Sequence, residues 1–188
     1  MRIGIMGGTF DPIHIAHLVA ASEVCQTLDL DQVLFIPAGN PWQKSGTQIS
    51  PGQTRLQLVD LAISGDGRFG SSDIEITRTG ETYAIDTVRQ LISDNPDNQY
   101  FWIVGADALV GLPTWHNFEE LKNLIEIVAV NRNGIDHAQV DFEYTFVQIP
   151  EINISSTEIR ARVKTGKEIK YLVPTGVEKF IKESGLYK

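Results

Sequence analysis

Two histidines stand three residues apart immediately after a Gly-Gly turn, in Gly7-Gly8-Thr9-Phe10-Asp11-Pro12-Ile13-His14-Ile15-Ala16-His17. His14 and His17 at that spacing share one face of a first helical turn. Imidazoles donate hydrogen bonds to phosphate oxygens without carrying a fixed full charge, which suits a group whose negative charge moves during a reaction. The paired glycines let the backbone turn tightly and bring its amides close to a ligand, and a helix start adds positive partial charge. No third glycine follows at dinucleotide-fold spacing, and no Gly-Lys-Ser/Thr follows either, so this is neither of the common phosphate loops. The competing readings are a plain turn into a helix and a zinc site. Zinc needs three or four ligands, and the remaining candidates are His116, His137 and the distant Cys25.

A second constellation lies near the other end of the chain, in Ile154-Ser155-Ser156-Thr157-Glu158-Ile159-Arg160. Its plain reading is a capping box from Ser155 to Glu158. Its functional reading adds the hydroxyls and free amides of Ser156 and Thr157 and an arginine one turn in, a place for the far end of a polyphosphate. Between the two motifs, Lys44, Gly105, Asp107, Trp115 and Arg132 sit in loops or at strand ends, where each could meet a ligand. Their plainer roles are a solvated charge, a turn, a helix cap, a core aromatic and an ion pair. Asp11 is read as ordering the Gly-rich turn, and Cys25 as packing.

These residues need a scaffold, and the hydrophobic pattern provides one. Short apolar runs at Ile3–Met6, Val33–Ile36, Tyr100–Val104, Ile127–Val130 and Phe146–Ile149 read as strands, and Ser72–Thr77 alternates like another. Between them, Leu18, Ala21, Cys25 and Leu28 recur at helical spacing. Ser50-Pro51 opens a helix that turns Leu56, Val59 and Ile63 inward, and Thr82 caps one carrying Ile85, Val88 and Ile92. Two short helices over 106–124, broken at Pro113, and two more from about Ser156 and Thr175 complete the set. The last turns Val177, Phe180 and Ile181 inward. The stretch from Ala38 to Gly52 reads as a loop and a candidate lid. This order predicts an α/β chain with a doubly wound parallel sheet, whose ligand lies beyond the carboxyl ends of the strands. Residues 1–188 read as one domain, with 156–188 as its basic helical C-terminal part.

Composition agrees. The 188 residues are 42% hydrophobic and 21% charged, an ordinary globular balance that excludes disordered and low-complexity classes. The formal charge is -8, which argues against a broad nucleic-acid face. The charge is uneven: residues 1–155 hold 8 bases and 20 acids, whereas 156–188 hold 8 bases and 4 acids. One cysteine excludes an internal disulfide framework and suits a reducing, cytoplasmic compartment. The sequence has no apolar run long enough for a membrane span, and its start lacks the apolar core of a secretion signal.

Taken together, Gly-Gly-Thr-Phe-Asp-Pro-x-His-x-x-His and the late Ile-Ser-Ser-Thr-x-Ile-Arg resemble the nucleotidyltransferase superfamily. Across nearly the whole chain the sequence is similar to the bacterial nicotinate-nucleotide adenylyltransferases. The likeness extends through Ile36–Lys44, Arg78–Tyr83, Gly105-Ala106-Asp107, Leu112–Trp115 and Val128–Arg132. The resemblance implies a Rossmann-like nucleotidyltransferase fold and the reaction of ATP with nicotinate mononucleotide, assisted by Mg²⁺ held mainly by phosphates and water. It implies that Gly7, Gly8, Thr9 and Phe10 border the ATP, and that His14 and His17 contact its phosphates. Lys44, Ser156, Thr157 and Arg160 would hold the β- and γ-phosphates, and Gly105 and Asp107 would meet the adenosine. Thr82, Tyr83, Trp115 and Arg132 would serve the pyridine mononucleotide, with Trp115 stacking on the ring.

The sequence departs from the family pattern at Ala16, where glycine is usual, at Trp42-Gln43, at Ala84 and at Asn133. Alternative readings are an adenylyltransferase for nicotinamide mononucleotide or for both mononucleotides, a phosphopantetheine adenylyltransferase, and a non-catalytic nucleotide-binding module. The expected partners are ATP and a pyridine mononucleotide, with no nucleic acid and no membrane; a homo-oligomer is compatible with the sequence.

Overall fold

The computed structural model describes residues 1–40, 49–131 and 140–188. Lys44 and Arg132, with Trp42, Gln43, Asn133 and His137, lie outside the described residues. The chain opens with β1 (Arg2–Gly8), α1 (Ile15–Thr27) and β2 (Gln32–Pro37), followed by α2 (Gly52–Ile63) and β3 (Phe69–Ser71). Next come α3 (Ala84–Asp94), β4 (Gln99–Gly105), a 3-10 helix (Ala106–Thr114), α4 (Phe118–Leu124) and β5 (Glu126–Val130). β6 (Thr145–Val147), α5 (Ser156–Lys164) and α6 (Thr175–Ser184) complete the order. Among the described residues, no helix is long and apolar enough to cross a membrane.

All six strands form one parallel sheet in the order β3-β2-β1-β4-β5-β6. The order reverses between β1 and β4, so helices on opposite faces diverge there and leave a crevice beyond Gly8 and Gly105. Alternation within β1 serves both faces. Ile3 and Ile5 enter a cluster with Ile85, Val88, Leu109 and Leu121 from α3, the 3-10 helix and α4. Met6 enters the other cluster, with Ala21, Val24, Leu58, Ile159 and Val177 from α1, α2, α5 and α6. The sequence reading of a doubly wound sheet holds.

Several local expectations are corrected. The third strand is Phe69–Ser71, earlier and shorter than Ser72–Thr77. In the expected stretch both Ile74 and Glu75 are buried, which breaks the alternation, and the Thr77 amide turns back to donate to the Asp73 carbonyl at 3.0 Å. The cap of α3 is Tyr83 and not Thr82, and that of α2 is Pro51 and not Ser50. Pro113 lies inside the 3-10 helix, and the break falls just after it, where Asn117 has a φ of 51°.

The largest surprise is on α2. Its inner face carries Arg55, Leu58, Val59 and Ile63, with Leu56 only half-buried. Arg55 is 1% exposed. Burial pulls its pKa below the usual value, while the Asp11 carboxylate favours the charged form. The guanidinium donates to the carbonyls of Ser50 at 2.9 Å, Thr9 at 2.9 Å and Ala38 at 2.7 Å, with a longer contact to Gly39. One side chain thus joins the Gly-rich turn after β1, the loop after β2 and the entry to α2. Arg55→Leu is expected to lower unfolding stability by about 3 kcal/mol, because several buried carbonyls lose their donor. Urea denaturation measures this as a lower midpoint. Gly39→Ala is expected to cost about 1–3 kcal/mol by the same measurement, since a Cβ there would lie 2.0 Å from the Glu75 carbonyl oxygen.

Candidate active site

The turn after β1 is tight by construction. Phe10 adopts a φ of 50° and is buried, and its ring sits where any Cβ on Gly8 would fall, at 2.9 Å. Only glycine admits that approach. The chain then enters α1 with His14 as N-cap and His17 as the third helical residue. The imidazoles stack with centroids 3.7 Å apart, and Phe10 meets the His17 ring edge-on at 5.1 Å. The His14 amide donates to His17 Nδ1 at 3.2 Å. An Nδ1 that accepts leaves the proton of the neutral ring on Nε2. His17 lines the crevice, and this ring state makes it a donor there.

The late motif forms the opposing wall. Ser155 caps α5, its hydroxyl accepting from the Glu158 amide at 3.2 Å, so the capping reading holds. Glu158 does not complete the reciprocal half of the box by any contact seen here; its carboxylate pairs with Arg162 at 3.3 Å. The Ser156 hydroxyl donates to the Pro12 carbonyl at 2.8 Å, and Arg160 Nη1 donates to the Asp11 carbonyl at 2.7 Å. The start of α5 is thereby tied to the Gly-rich turn across about the whole length of the chain. First-turn residues of two helices, α1 and α5, border one crevice, so the positive ends of both helices lie at it.

That crevice is a cavity of about 860 Å³. It brings together most of the residues singled out from the sequence. Gly7, Gly8, Thr9, Phe10, His14 and His17 line it, as do Ser156 and Thr157 and, from the end of β4, Gly105. Thr82, Tyr83 and Trp115 line it as well, and so does Ala16. Asp107 and Arg160 are not among the lining residues. Asp107 lies exposed on the 3-10 helix, and the Arg160 guanidinium is turned to the Asp11 carbonyl and to Thr157 Oγ1 at 3.2 Å. Among the described residues, no group of three or more His, Cys, Asp or Glu is placed to hold a metal ion.

The aromatic part of the cavity is organised by stacking. His116 lies on Tyr83 with centroids 4.4 Å apart, and Trp115 meets Trp102 edge-on at 6.1 Å. The Tyr83 hydroxyl donates to the Glu81 carboxylate, which holds the phenol pKa above its usual value. Thr82 is 7% exposed, and its hydroxyl has no hydrogen-bond partner among the described residues. A buried hydroxyl without a partner is costly unless a ligand supplies one.

Sequence reasoning missed four contributors. Arg55, on the helix that opens at Ser50-Pro51, carries no sequence signal that sets it apart from a charge on the polar side of an amphipathic helix. Glu75 lines the cavity, is buried, and accepts from Thr87 Oγ1 at 2.8 Å. His116 was weighed only as a metal ligand. The segment 149–154 lines the cavity too. It is held by Asn131, whose amide donates to the Ile149 carbonyl at 2.9 Å and accepts from the Ile149 amide at 2.6 Å. A lone Asn after a strand signals only a turn, so nothing in the sequence marked this clamp.

Comparison with known proteins agrees with this geometry. A cytidylyltransferase-like family model matches residues 5–162. A Leifsonia xyli protein named "Probable nicotinate-nucleotide adenylyltransferase" is 44% identical over 100% of this chain and 94% of its own length. One of the same name from Geobacillus thermodenitrificans is 42% identical, covering 99% of this chain and 86% of its own. In fold, the chain is similar to nicotinic acid mononucleotide adenylyltransferase of Plasmodium falciparum, solved with APC and, separately, with NaAD. Each superposes with a TM-score of 0.80 over 99% of this chain, at 19% and 20% identity and covering 96% and 97% of the other. The chain belongs to the nicotinate-nucleotide adenylyltransferase family, among the cytidylyltransferase-like proteins.

Proposed function

We propose that this protein transfers AMP from ATP to nicotinate mononucleotide, releasing pyrophosphate and forming nicotinate adenine dinucleotide, a step of NAD biosynthesis. The observation that carries the reading is a single cavity bordered both by two converging helix N-termini with His14 and His17 and by Thr82, Tyr83 and Trp115. The first set suits a triphosphate and the second a flat heteroaromatic ring.

The chemistry asks little of an acid or base. The acceptor's phosphate oxygen is already a nucleophile; it bonds to the α-phosphorus of ATP as the bond to the bridging oxygen breaks, and pyrophosphate carries off the electron pair. Catalysis therefore rests on in-line placement and on neutralising the charge that gathers on the leaving group. His17 supports this as a neutral donor through Nε2, its Nδ1 being held by the His14 amide. The Ser156 and Thr157 amides hold the distal phosphates. Arg160 contributes by holding Asp11 and Thr157, and its positive charge stands behind them. Gly7, Gly8, Thr9, Phe10 and Gly105 border the nucleotide; Asp107, outside the cavity lining, is assigned to the adenosine on family resemblance alone.

Lys44 and Arg132 are assigned to the distal phosphates and the acceptor on family resemblance alone. Mg²⁺ brought with ATP would be held by phosphate oxygens and water, as none of the described residues forms a metal cluster, and would offset phosphate charge. The buried Thr82 hydroxyl, lacking a partner among the described residues, fits a polar group of the acceptor, and Trp115 covers its ring.

The test supplies ATP and Mg²⁺ with each mononucleotide in turn and compares kcat/KM. The acid should be the better substrate; preference for the amide would overturn the acceptor assignment. His17→Ala should lower kcat by about 10²–10³ with a modest loss of ATP binding, the effect of removing one preorganised donor. Near-normal turnover would remove His17 from that role. Trp115→Ala should raise KM for the mononucleotide about tenfold and leave KM for ATP unchanged, as loss of a stacking platform does.

A further inference from the structure

Asp11 lies outside the chemistry yet is 3% exposed, an expensive place for a carboxylate. Its partners explain it. Oδ1 accepts from the Tyr187 hydroxyl at 2.6 Å, and Oδ2 from the Ser50 amide at 3.2 Å. Its own carbonyl receives Arg160 at 2.7 Å, and the next carbonyl, Pro12, receives Ser156 at 2.8 Å. Arg55 stands close enough to the Asp11 carboxylate for its charge to favour the guanidinium cation. Asp11 is thus the point where the Gly-rich turn, the entry to α2, the start of α5 and the last residues of the chain meet.

Tyr187 reaches that point by an unusual path. Past α6 the chain turns through Gly185, and Tyr187 itself adopts a φ of 68°, a left-handed conformation rare for a bulky side chain. Such a backbone persists when its surroundings hold the side chain in place. Leu186 and Tyr187 pack against the core on the α1, α2 and α6 side, and the hydroxyl is delivered to Asp11. Burial and the Asp11 bond push the phenol pKa far above its usual value, so the group stays a donor throughout the working pH range.

We propose that Tyr187 is a positioning residue for adenylyl transfer, holding the Asp11 carboxylate so that the Gly-rich turn and the start of α5 keep the spacing the ATP phosphates require. The proposal rests on the reading of those two elements as the ATP phosphate site. It makes the far end of the chain part of the catalytic framework, although Tyr187 touches no reacting atom.

Tyr187→Phe in the full-length chain tests it, since the ring and its packing stay and only the donor is lost. ATP affinity with Mg²⁺, measured by calorimetry, should weaken about tenfold, in keeping with the loss of a hydrogen bond to a charged group. kcat should fall by a similar factor, while KM for the mononucleotide stays near wild type; the thermal midpoint falls somewhat, because a buried carboxylate loses a donor. In an Asp11→Asn background the same change should have little further effect, because the two residues act through one contact. Unchanged ATP affinity and kcat would overturn the proposal. So would an effect that adds fully to Asp11→Asn, or an equal loss for both substrates. A wild-type chain that binds no ATP would instead overturn the phosphate-site reading beneath it.

Discussion

A parallel sheet ends in loops, and the loops that build this cavity turn carbonyl oxygens inward with no neighbouring strand to satisfy them. The structure answers with one buried cation. Arg55 places its planar fork among the carbonyls of Thr9, Ala38 and Ser50, which come from the β1–α1 connection and from the two ends of the β2–α2 connection. A guanidinium suits this task because it stays charged when buried and presents several donors in fixed directions. The wall that faces a nucleotide is therefore held from behind, by a residue that never meets it. Asn131 repeats the device on a smaller scale, using one side-chain amide to fix both backbone groups of Ile149.

With the wall held, the histidines acquire a defined role. The His14 amide occupies Nδ1 of His17, which places the proton on Nε2 and leaves that nitrogen without a lone pair to offer. The ring can donate to a phosphate oxygen; it cannot serve as a nucleophile in that state. Stacking of the two imidazoles at 3.7 Å also disfavours charging both at once, since like charges would then lie face to face. The arrangement supports stabilisation of a moving charge by neutral donors and helix termini.

How much of this was legible in the sequence follows from how far each constraint reaches. The short apolar runs of β1 and β4 and the helical spacing on α6 are set within a few residues, so the doubly wound sheet could be read directly. His14 with His17 and Ser155 with Glu158 are local pairs, three residues apart, and the structure keeps both. Arg55 acts over 46 residues on Thr9, and Tyr187 over 176 on Asp11, so each looked like an ordinary surface residue. The strand expected at Ser72–Thr77 failed for a related reason: Glu75, which alternation would place facing solvent, is buried with a bond to Thr87 twelve residues on. Asp11 was read as ordering its own turn. Its carboxylate instead fastens that turn to α2 and to the C-terminal residues.

The central claim is that the enzyme positions and neutralises, and that no side chain forms a bond to phosphorus. The stereochemical course at the α-phosphorus tests it most directly. With ATP made chiral at that atom by a sulfur substitution, one in-line displacement by the mononucleotide phosphate must invert the configuration in the dinucleotide product. The account predicts inversion. Retention would mean two displacements through a covalent adenylyl-enzyme, with His17 the obvious carrier, and would contradict it.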